Sequence, residues 1–404
     1  MSTRERDPSL PLPPGTVREV FGAFLLLGLT SFGGPVAHLG YFREAFVERR
    51  RWLTDAAYAD VVALCQFLPG PASSQVGMAL GLQRAGLPGL IAAWVGFTLP
   101  SAVLLVAFAF GVAALGDAAG TGWIAGLKAA AVAVVAHAVI AMARTLAPDA
   151  RRAGLAAAGA VVVLLAPHPG VQVAVIVAGA LAGLALMRGP AAPDAGTLGV
   201  HVSRPVAVGA LALFAVLLAG LPIAAAVTGN GAVALAETFY RAGSLVFGGG
   251  HVVLPLLEAD MVPTSLVDRD AFLAGYGAAQ AVPGPLFTFA GFLGASTTTG
   301  PTGLLGAGIA LLAIFLPAAL LTVGVLPFWD RLRQAPKARA ALAGVNAVVV
   351  GILGAALYDP VFTAGITSAA TMALAVAVFA AQRVFSLPAW AAVLGAGLVG
   401  WVFL

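Results

Sequence analysis

Residues 68–77 read Leu-Pro-Gly-Pro-Ala-Ser-Ser-Gln-Val-Gly, and this short polar stretch interrupts an otherwise apolar chain. Proline removes a backbone donor and clashes with the preceding helical turn, so Pro-Gly-Pro ends one helix and lets another begin in a new direction. Residues 282–291 repeat the pattern as Val-Pro-Gly-Pro-Leu-Phe-Thr-Phe-Ala-Gly. A glutamine, Gln66 or Gln280, precedes each copy at the same distance. We therefore predict that each copy separates two helical arms.

The composition is that of an integral membrane protein. Of the 404 residues, 60% are hydrophobic and only 9% are charged, whereas a soluble domain usually carries about a quarter charged residues. Apolar runs of about twenty residues recur along the chain, and each is long enough to cross a bilayer as a helix. The sequence predicts an all-α polytopic membrane protein with roughly 9 to 13 membrane segments.

The composition also argues against several other classes of protein. The basic residues behind the net charge of +4 lie in short loops beside apolar runs. Topology signals have this pattern, so we expect no nucleic-acid partner. The single cysteine, Cys65, excludes an internal disulfide and a cysteine-rich metal cage, and we expect neither a metal nor a cofactor. Residues 1–16 lack the apolar core of a signal peptide, so we interpret them as a cytoplasmic N-terminal tail.

Landmarks recur in the same order in the two halves of the chain. They are the two glutamine and Pro-Gly-Pro motifs, Phe32-Gly33-Gly34-Pro35 with Phe247-Gly248-Gly249-Gly250, Leu99-Pro100 with Leu316-Pro317, and Gly126-Leu127-Lys128 with Gly344-Val345-Asn346. A shared order of this kind predicts an internal repeat. We place the first repeat at residues 17–187 and the second at residues 232–404. Residues 188–231 then form a linker and one extra transmembrane span.

The loop charges indicate that the two repeats have inverted orientations. In the first repeat an acidic connection, with Asp117, precedes a basic one, with Arg151 and Arg152. In the second repeat the basic connection at residues 331–339 comes first, and Asp359 follows it. The positive-inside rule therefore predicts inverted repeats, with the extra span supplying the change of direction. We also predict that the Pro-Gly-Pro segments and the Phe-Gly-Gly segments are re-entrant hairpins.

Inverted repeats with broken helices are typical of secondary transporters, which bind their substrate near the membrane midplane. A helix that restarts after Pro-Gly-Pro presents unpaired N–H groups and partial positive charge, which suit an oxyanion. The predicted substrate-binding residues are Gln66, Gly70, Ser73, Ser74, Gln75, Lys128, Gln280, Gly284, Thr288 and Asn346. The predicted hinges or helix breaks are Gly33, Gly34, Pro35, Pro69, Pro71, Gly248, Gly249, Gly250, Pro283 and Pro285.

Several ionisable residues have two open interpretations. Lys128 lies inside an apolar span, where it either supplies positive charge to a dianion or snorkels toward the interface. His38 and His251 follow the Phe-Gly-Gly turns and either contact an anion or pack structurally. Arg84 and Arg241 either set the topology or reach toward the site.

A further histidine, His137, is nine residues after Lys128. At about 100° per residue, it lies on the opposite helix face from Lys128. We expect His137 to pack and not to bind a ligand.

These motifs resemble the paired signatures of the chromate ion transporters in their two-domain, long-chain form. The resemblance rests on residues 32–35 with His38, and on residues 66–71, 247–251 and 280–285, and it covers nearly the whole chain from residue 17 onward. It implies a bacterial inner-membrane protein that exports chromate and confers chromate resistance. Chromate is similar in shape and charge to sulfate, so sulfate or another tetrahedral oxyanion is the alternative substrate.

From these observations we expect a transporter and not an enzyme, working by alternating access between the two repeats. A channel is one alternative, because a pore can use the same anion chemistry. A membrane enzyme acting on lipid phosphates is another, but it needs a cluster of ionisable groups at one depth, and such groups lie mostly in loops here. The expected partners are the oxyanion and the lipid bilayer. Proton coupling and a homodimer are open possibilities.

Overall fold

The computed structural model describes residues 15–115, 121–187 and 202–404, and all regular elements within these ranges are helical. Most of the predicted N-terminal tail and most of the predicted linker lie outside the described residues. Within the described ranges, six helices are long and apolar enough to cross a membrane: Ala72–Ala114, Gly122–Leu146, Pro169–Leu186, Arg204–Thr228, Gly303–Gln334 and Pro336–Gly365. The predicted all-α polytopic class is confirmed.

The first half of the chain consists of helices with short connections. They are α1 (Val17–Thr30), α2 (Gly34–Arg43), which continues as a π-helical turn (Glu44–Arg49), α3 (Asp55–Phe67), α4 (Ala72–Leu115), α5 (Gly122–Leu146), α6 (Ala150–Leu165) and α7 (Pro169–Leu186). Helix α8 (Arg204–Thr228) follows where we predicted the extra span.

The second half repeats this arrangement. Its helices are α9 (Gly231–Leu245), α10 (Val253–Met261), α11 (Arg269–Ala281), α12 (Phe289–Ala295), α13 (Gly303–Val325), α14 (Trp329–Gln334), α15 (Pro336–Ala356), α16 (Thr363–Gly365), α17 (Ala369–Val384) and α18 (Ala389–Phe403). Short 3-10 turns at Gly250–Val252 and Leu286–Thr288 precede α10 and α12.

The first Pro-Gly-Pro motif is the tip of a helical hairpin. Helix α3 ends at Phe67, and α4 begins at Ala72. Helix α4 is itself interrupted at Gly86, whose φ is +65°. Gly81 and Gly89 pack together across this interruption, because a Cβ on Gly81 would lie 2.3 Å from the carbonyl oxygen of Gly89. The chain reverses there, so the part of α4 before Gly86 is the return arm of the hairpin.

In the first half, the Phe-Gly-Gly segment and the Pro-Gly-Pro hairpin each have a base, the end opposite the break or tip. These two bases lie together on one face of the protein. Arg84, at the end of the return arm, places its guanidinium 5.4 Å from the ring centroid of Trp52 and 3.1 Å from a carboxylate oxygen of Glu19. Nearby, Arg43 donates to Asp55 and so holds the pKa of that carboxyl below its usual range. The segment from α1 through the Phe-Gly-Gly break therefore starts and ends on the same face as the Pro-Gly-Pro hairpin. Both segments are re-entrant.

The second Pro-Gly-Pro hairpin has the same closed base. Thr298, after α12, donates its amide to the carbonyl of Leu266 at 2.9 Å, just before α11. Gly231, at the start of α9, packs against Gly300. A Cβ added to Gly231 would lie 3.2 Å from the Cα of Gly300. Helix α8 reaches this base from the other face, where Gly324 packs against Leu211 of α8. With 25 residues, α8 is about 37 Å long, which is enough to cross a bilayer.

We name the two faces by their charges. The arginine-rich face carries Arg144, Arg151, Arg152, Arg333 and Arg339, and the acidic face carries Glu258, Asp260, Asp268, Asp270 and Asp359. The base of the first hairpin joins the arginine-rich face, because Asp60 of α3 contacts Arg333 at 3.3 Å. The base of the second hairpin, at α11, lies on the acidic face.

Two equivalent backbone hydrogen bonds join the halves at the tips. The amide of Gly70 donates to the carbonyl of Val246 at 2.7 Å, and the amide of Gly284 donates to the carbonyl of Ser31 at 2.9 Å. Val246 and Ser31 each directly precede a Phe-Gly-Gly segment. Each Pro-Gly-Pro tip therefore meets the helix break of the other half. Irregular backbone of this kind is tolerated in a membrane protein where it is buried or lines a cavity.

Candidate functional site

A cavity of about 910 Å³ lies where these breaks meet. This volume is within the usual range for small-molecule sites. Its walls come from both Phe-Gly-Gly segments, both Pro-Gly-Pro tips, the second half of α5 and the connection between α17 and α18. The polar lining residues are Gln66, His137, Thr145, His251, Gln280, Asn346, Gln382, Arg383 and Ser386. Among the described residues, the lining has one formal positive charge, on Arg383, and no carboxylate.

Three amide side chains of the lining have buried atoms without a hydrogen-bond partner in the described part of the chain. They are Nε2 of Gln280, Oδ1 of Asn346 and Oε1 of Gln382. Buried polar groups in proteins are nearly always hydrogen-bonded to protein or water. Since an amide presents its NH₂ or its oxygen by rotation, each of these side chains can donate to an anion. As placed, Nε2 of Gln280 is an unused donor, and Asn346 and Gln382 become donors to the cavity when their amide groups are rotated.

Helix N-termini add backbone donors to the cavity wall. Ala72 at the start of α4 and Gly34 at the start of α2 line the cavity and carry backbone N–H groups, whereas Pro35, which also lines it, has none. The first N–H groups of a helix have no intrahelical acceptor, and the helix dipole places partial positive charge there. Both features favour a bound anion and not a cation.

The two histidines that follow the Phe-Gly-Gly turns have different surroundings. His38 is fully buried outside the cavity lining, with Nε2 3.2 Å from the Ser31 carbonyl and Nδ1 3.3 Å from Ser73 Oγ. His251 lines the cavity, and its Nδ1 lies 2.7 Å from the hydroxyl of Tyr276. When this hydroxyl donates to Nδ1, the proton of the neutral ring is on Nε2. His251 is then a hydrogen-bond donor for a ligand, and His38 braces the first helix break.

The structure brings together only part of the predicted substrate-binding set. Gln66, Gly70, Gln280, Gly284 and Asn346 line the cavity. The remaining polar residues near the tips, Ser73, Ser74, Gln75 and Thr288, are buried behind the wall.

The side chains behind the wall stabilise the Pro-Gly-Pro turns. Gln75 donates to the carbonyl of Pro69 at 2.8 Å, and Thr288 donates to the carbonyl of Pro285 at 2.7 Å. A ligand role for Ser73, Ser74, Gln75 and Thr288 stays a prediction. Of the predicted helix breaks, Gly33, Gly34, Pro35, Gly248, Gly249 and Gly250 line the cavity, and Pro69, Pro71, Pro283 and Pro285 frame its two tips.

Lys128 lies away from the cavity lining, near the acidic face. Its ammonium is 2.7 Å from a carboxylate oxygen of Asp270 in the second hairpin, and its side chain is only 9% exposed. Its repeat counterpart, Asn346, lines the cavity instead. Lys128 therefore forms an ion pair between the halves, and its role as a substrate ligand stays a prediction.

The two predicted peripheral arginines, Arg84 and Arg241, also lie away from the cavity lining. Arg84 pairs with Glu19, and Arg241 pairs with Glu237 and with Asp260, the latter at 3.1 Å. Both arginines therefore brace re-entrant segments, and a contact with the substrate stays a prediction.

Sequence reasoning missed part of the lining. His137, which we expected to pack, does contact the ring of Phe379, and it also lines the cavity. Gln382 and Arg383, near the end of α17, line the cavity as well. A signal for α17 was present, since Gln382 and Arg383 precede Ser386 and Pro388 between two apolar stretches, which is another broken-helix pattern. For His137 the only signal was its position opposite Lys128 on the same helix.

Together, the inverted halves, the re-entrant hairpins and the central cavity define a polytopic membrane protein with the architecture of secondary transporters. Comparison with known families identifies it further. The chain matches the profile of the chromate transporter family over residues 18–184 and again over residues 233–401, once in each half. This chain belongs to the chromate transporter family.

Several curated relatives are similar over most of their length. The chain is 32% identical to the chromate transport protein of Pseudomonas aeruginosa, over 96% of this chain and 93% of the relative. It is 28% identical to the chromate transport protein of Cupriavidus metallidurans, over 85% and 82% of the two chains. It is 27% identical to a probable chromate transport protein of Synechococcus elongatus, over 85% and 84%. No solved structure matches this chain. These comparisons confirm the resemblance inferred from the motifs.

Proposed function

We propose that this protein exports chromate, a tetrahedral oxyanion dianion, across the bacterial inner membrane by alternating access and thereby confers chromate resistance. The observation that carries the proposal is the central cavity. Helix breaks from both halves line it, and among the described residues its lining holds neutral donors, one arginine and no carboxylate. A carboxylate-free cavity suits an anion, because an acidic group would repel a dianion at close range.

The position of the cavity supports an inward-facing conformation. Its lining extends to Thr145 and Leu146 at the end of α5 and to Arg383 near the end of α17. The end of α5 belongs to the arginine-rich face, which the positive-inside rule places in the cytoplasm, together with the N-terminus. The substrate then enters from the cytoplasm, and the Lys128 and Asp270 ion pair closes the opposite side.

The cavity suits reversible binding of the dianion, because its donors are mostly neutral. Amides of Gln66, Gln280 and Asn346, the His251 ring and helix N-termini replace the hydration shell of the dianion with neutral donors. A relative movement of the two halves then exposes the anion to the acidic face. Export of a dianion from a cell that is negative inside is favoured by about 2.3 kcal/mol per charge per 100 mV.

The amide donors are testable by isosteric apolar replacement. We expect Gln280→Leu and Asn346→Leu each to raise the KM for chromate about tenfold, since each removes a hydrogen bond to a charged ligand worth about 1.5 kcal/mol. Chromate uptake into proteoliposomes measures this effect. Gln334→Leu is the matched control, because Gln334 is exposed and lies outside the lining. An unchanged KM in both cavity variants would remove these amides from the binding site.

The transport function itself is tested with purified protein in liposomes. We expect chromate flux well above that of empty liposomes, and weaker flux of sulfate. If neither chromate nor sulfate moves, the proposed function is wrong. Currents far above the turnover of a transporter would indicate a channel instead.

A further inference from the structure

A second cavity, of about 300 Å³, adjoins the central one on the arginine-rich face. The two cavities share the lining residues Gln66, Thr145, Leu146 and Asn346. Gln66 and Asn346 thus contact both spaces. A solute in the smaller cavity therefore lies next to the side chains of Gln66 and Asn346, which also line the central site.

The smaller cavity has a concentration of positive charge that the central cavity lacks. Arg152 comes from the first half, and Arg333 and Arg339 come from the second. Asp60 is the only acidic residue in the described lining. Two of the arginines also pair with carboxylates outside the lining, Arg152 with Asp149 at 3.2 Å and Arg333 with Asp330 at 2.8 Å. Among the described residues, Arg339 has no carboxylate partner. We call this cavity the arginine vestibule.

The arginines of the vestibule are held in place by other groups. Asp60 is 2% exposed, and its Oδ1 accepts hydrogen bonds from Nε1 of Trp329 at 3.1 Å and from Arg333 at 3.3 Å. Arg339 donates to the backbone carbonyl of Arg333. The Nε atoms of Arg333 and Arg339 are buried and have no partner within the described chain. Preorganised guanidinium groups with unused donors are well suited to an oxyanion.

We propose that the arginine vestibule is a second anion-binding site, which captures a tetrahedral oxyanion dianion from solvent and passes it to Gln66 and Asn346. This inference rests on the proposed transport function and deepens it. The charged vestibule raises the local concentration of the dianion by electrostatic attraction. The central cavity, with neutral donors and one arginine, then holds the anion weakly enough to release it on the other side.

The test neutralises the two vestibule arginines that do not contact the buried Asp60, because we expect their replacement to disturb folding less. We expect Arg152→Gln and Arg339→Gln each to raise the KM for chromate about threefold to tenfold, with little change in maximal rate. The salt dependence of flux should also weaken, because fewer charges attract the dianion. Arg333→Gln is not the first choice, since it leaves the buried Asp60 without its cationic partner. Arg333→Lys keeps that charge and tests the guanidinium geometry.

Arg331→Gln is the matched control, because Arg331 belongs to the same helix as Arg333 but is exposed and outside the vestibule lining. Wild-type KM and salt dependence in both Arg152→Gln and Arg339→Gln, with wild-type flux present, would overturn the vestibule but leave transport intact.

Chromate binding to the purified protein, followed by calorimetry, separates the two proposals further. If the wild type shows no flux, the transport proposal fails on its own. Weaker chromate binding by Arg339→Gln than by Arg331→Gln would still support the vestibule, and equal binding would overturn it.

Discussion

Gly284→Ala is expected to lower chromate flux about thirtyfold or more. Gly284 has φ +98°, which favours glycine, and an added Cβ would lie 2.8 Å from Oγ of Ser101. Backbone strain and overpacking each cost about 1–3 kcal/mol, and their sum of about 2–6 kcal/mol is equivalent to about thirtyfold or more. The strain falls on the tip whose amide bonds to the carbonyl of Ser31, where the halves meet beside the cavity.

The equivalent tip in the first half should respond in the same way. Gly70 has φ +119°, and an added Cβ would lie 3.2 Å from Nε2 of Gln75 and 3.3 Å from Cβ of Ala318. Flux per unit of folded protein in liposomes and the thermal unfolding midpoint measure both effects. Gly354→Ala is the control, because its added Cβ would meet no atom within 4 Å. Wild-type flux in Gly284→Ala would show that this tip is not under the predicted constraint.

Charge reversal at Lys128 should have the second large effect. Lys128→Glu places a carboxylate beside Asp270, where the present ion pair measures 2.7 Å. The Lys128 side chain is 9% exposed and that of Asp270 is 60% exposed, so solvent screens part of the repulsion. We expect a loss of about 2–3 kcal/mol of stability, less than for a fully buried pair. Flux should fall with it, because the pair joins α5 of one half to the hairpin of the other.

The swapped double variant separates pairing from mere loss of lysine. Lys128→Glu combined with Asp270→Lys restores opposite charges, and we expect it to recover at least half of the lost stability. Thermal unfolding in detergent is the measurement, and Lys337→Glu, at an exposed position in the first turn of α15, is the control. A double variant no more stable than Lys128→Glu would show that the pairing contributes nothing.

Much of the fold was predictable because it depends on local chemistry. Proline and glycine restrict or free the backbone at their own positions, so the breaks at residues 69–71 and 283–285 are where we predicted them. Loop charges predicted the inversion, because each basic residue interacts with the membrane independently of the rest of the fold. The duplicated order of motifs predicted two halves, which the two family matches support.

Which residues line the cavity was only partly predictable from the sequence. The contact between Lys128 and Asp270 joins residues 142 positions apart, and nothing local to Lys128 distinguishes an ion pair from a substrate ligand. The same applies to Asp60 and Arg333, which are 273 positions apart. His137 was expected to pack, since helical periodicity tells which residues share a face but not which face borders a cavity.

The sequence by itself therefore determined the membrane class, the repeat, the inversion and the positions of the broken helices, because composition, loop charge and proline act within short segments. Only the tertiary structure decided which polar groups meet. Gln66, Gln280, His251 and Asn346 line one cavity, Lys128 pairs on the acidic face, and three arginines from both halves surround the vestibule. These outcomes depend on how one half packs against the other, and that packing is the sum of many weak contacts between distant parts of the chain.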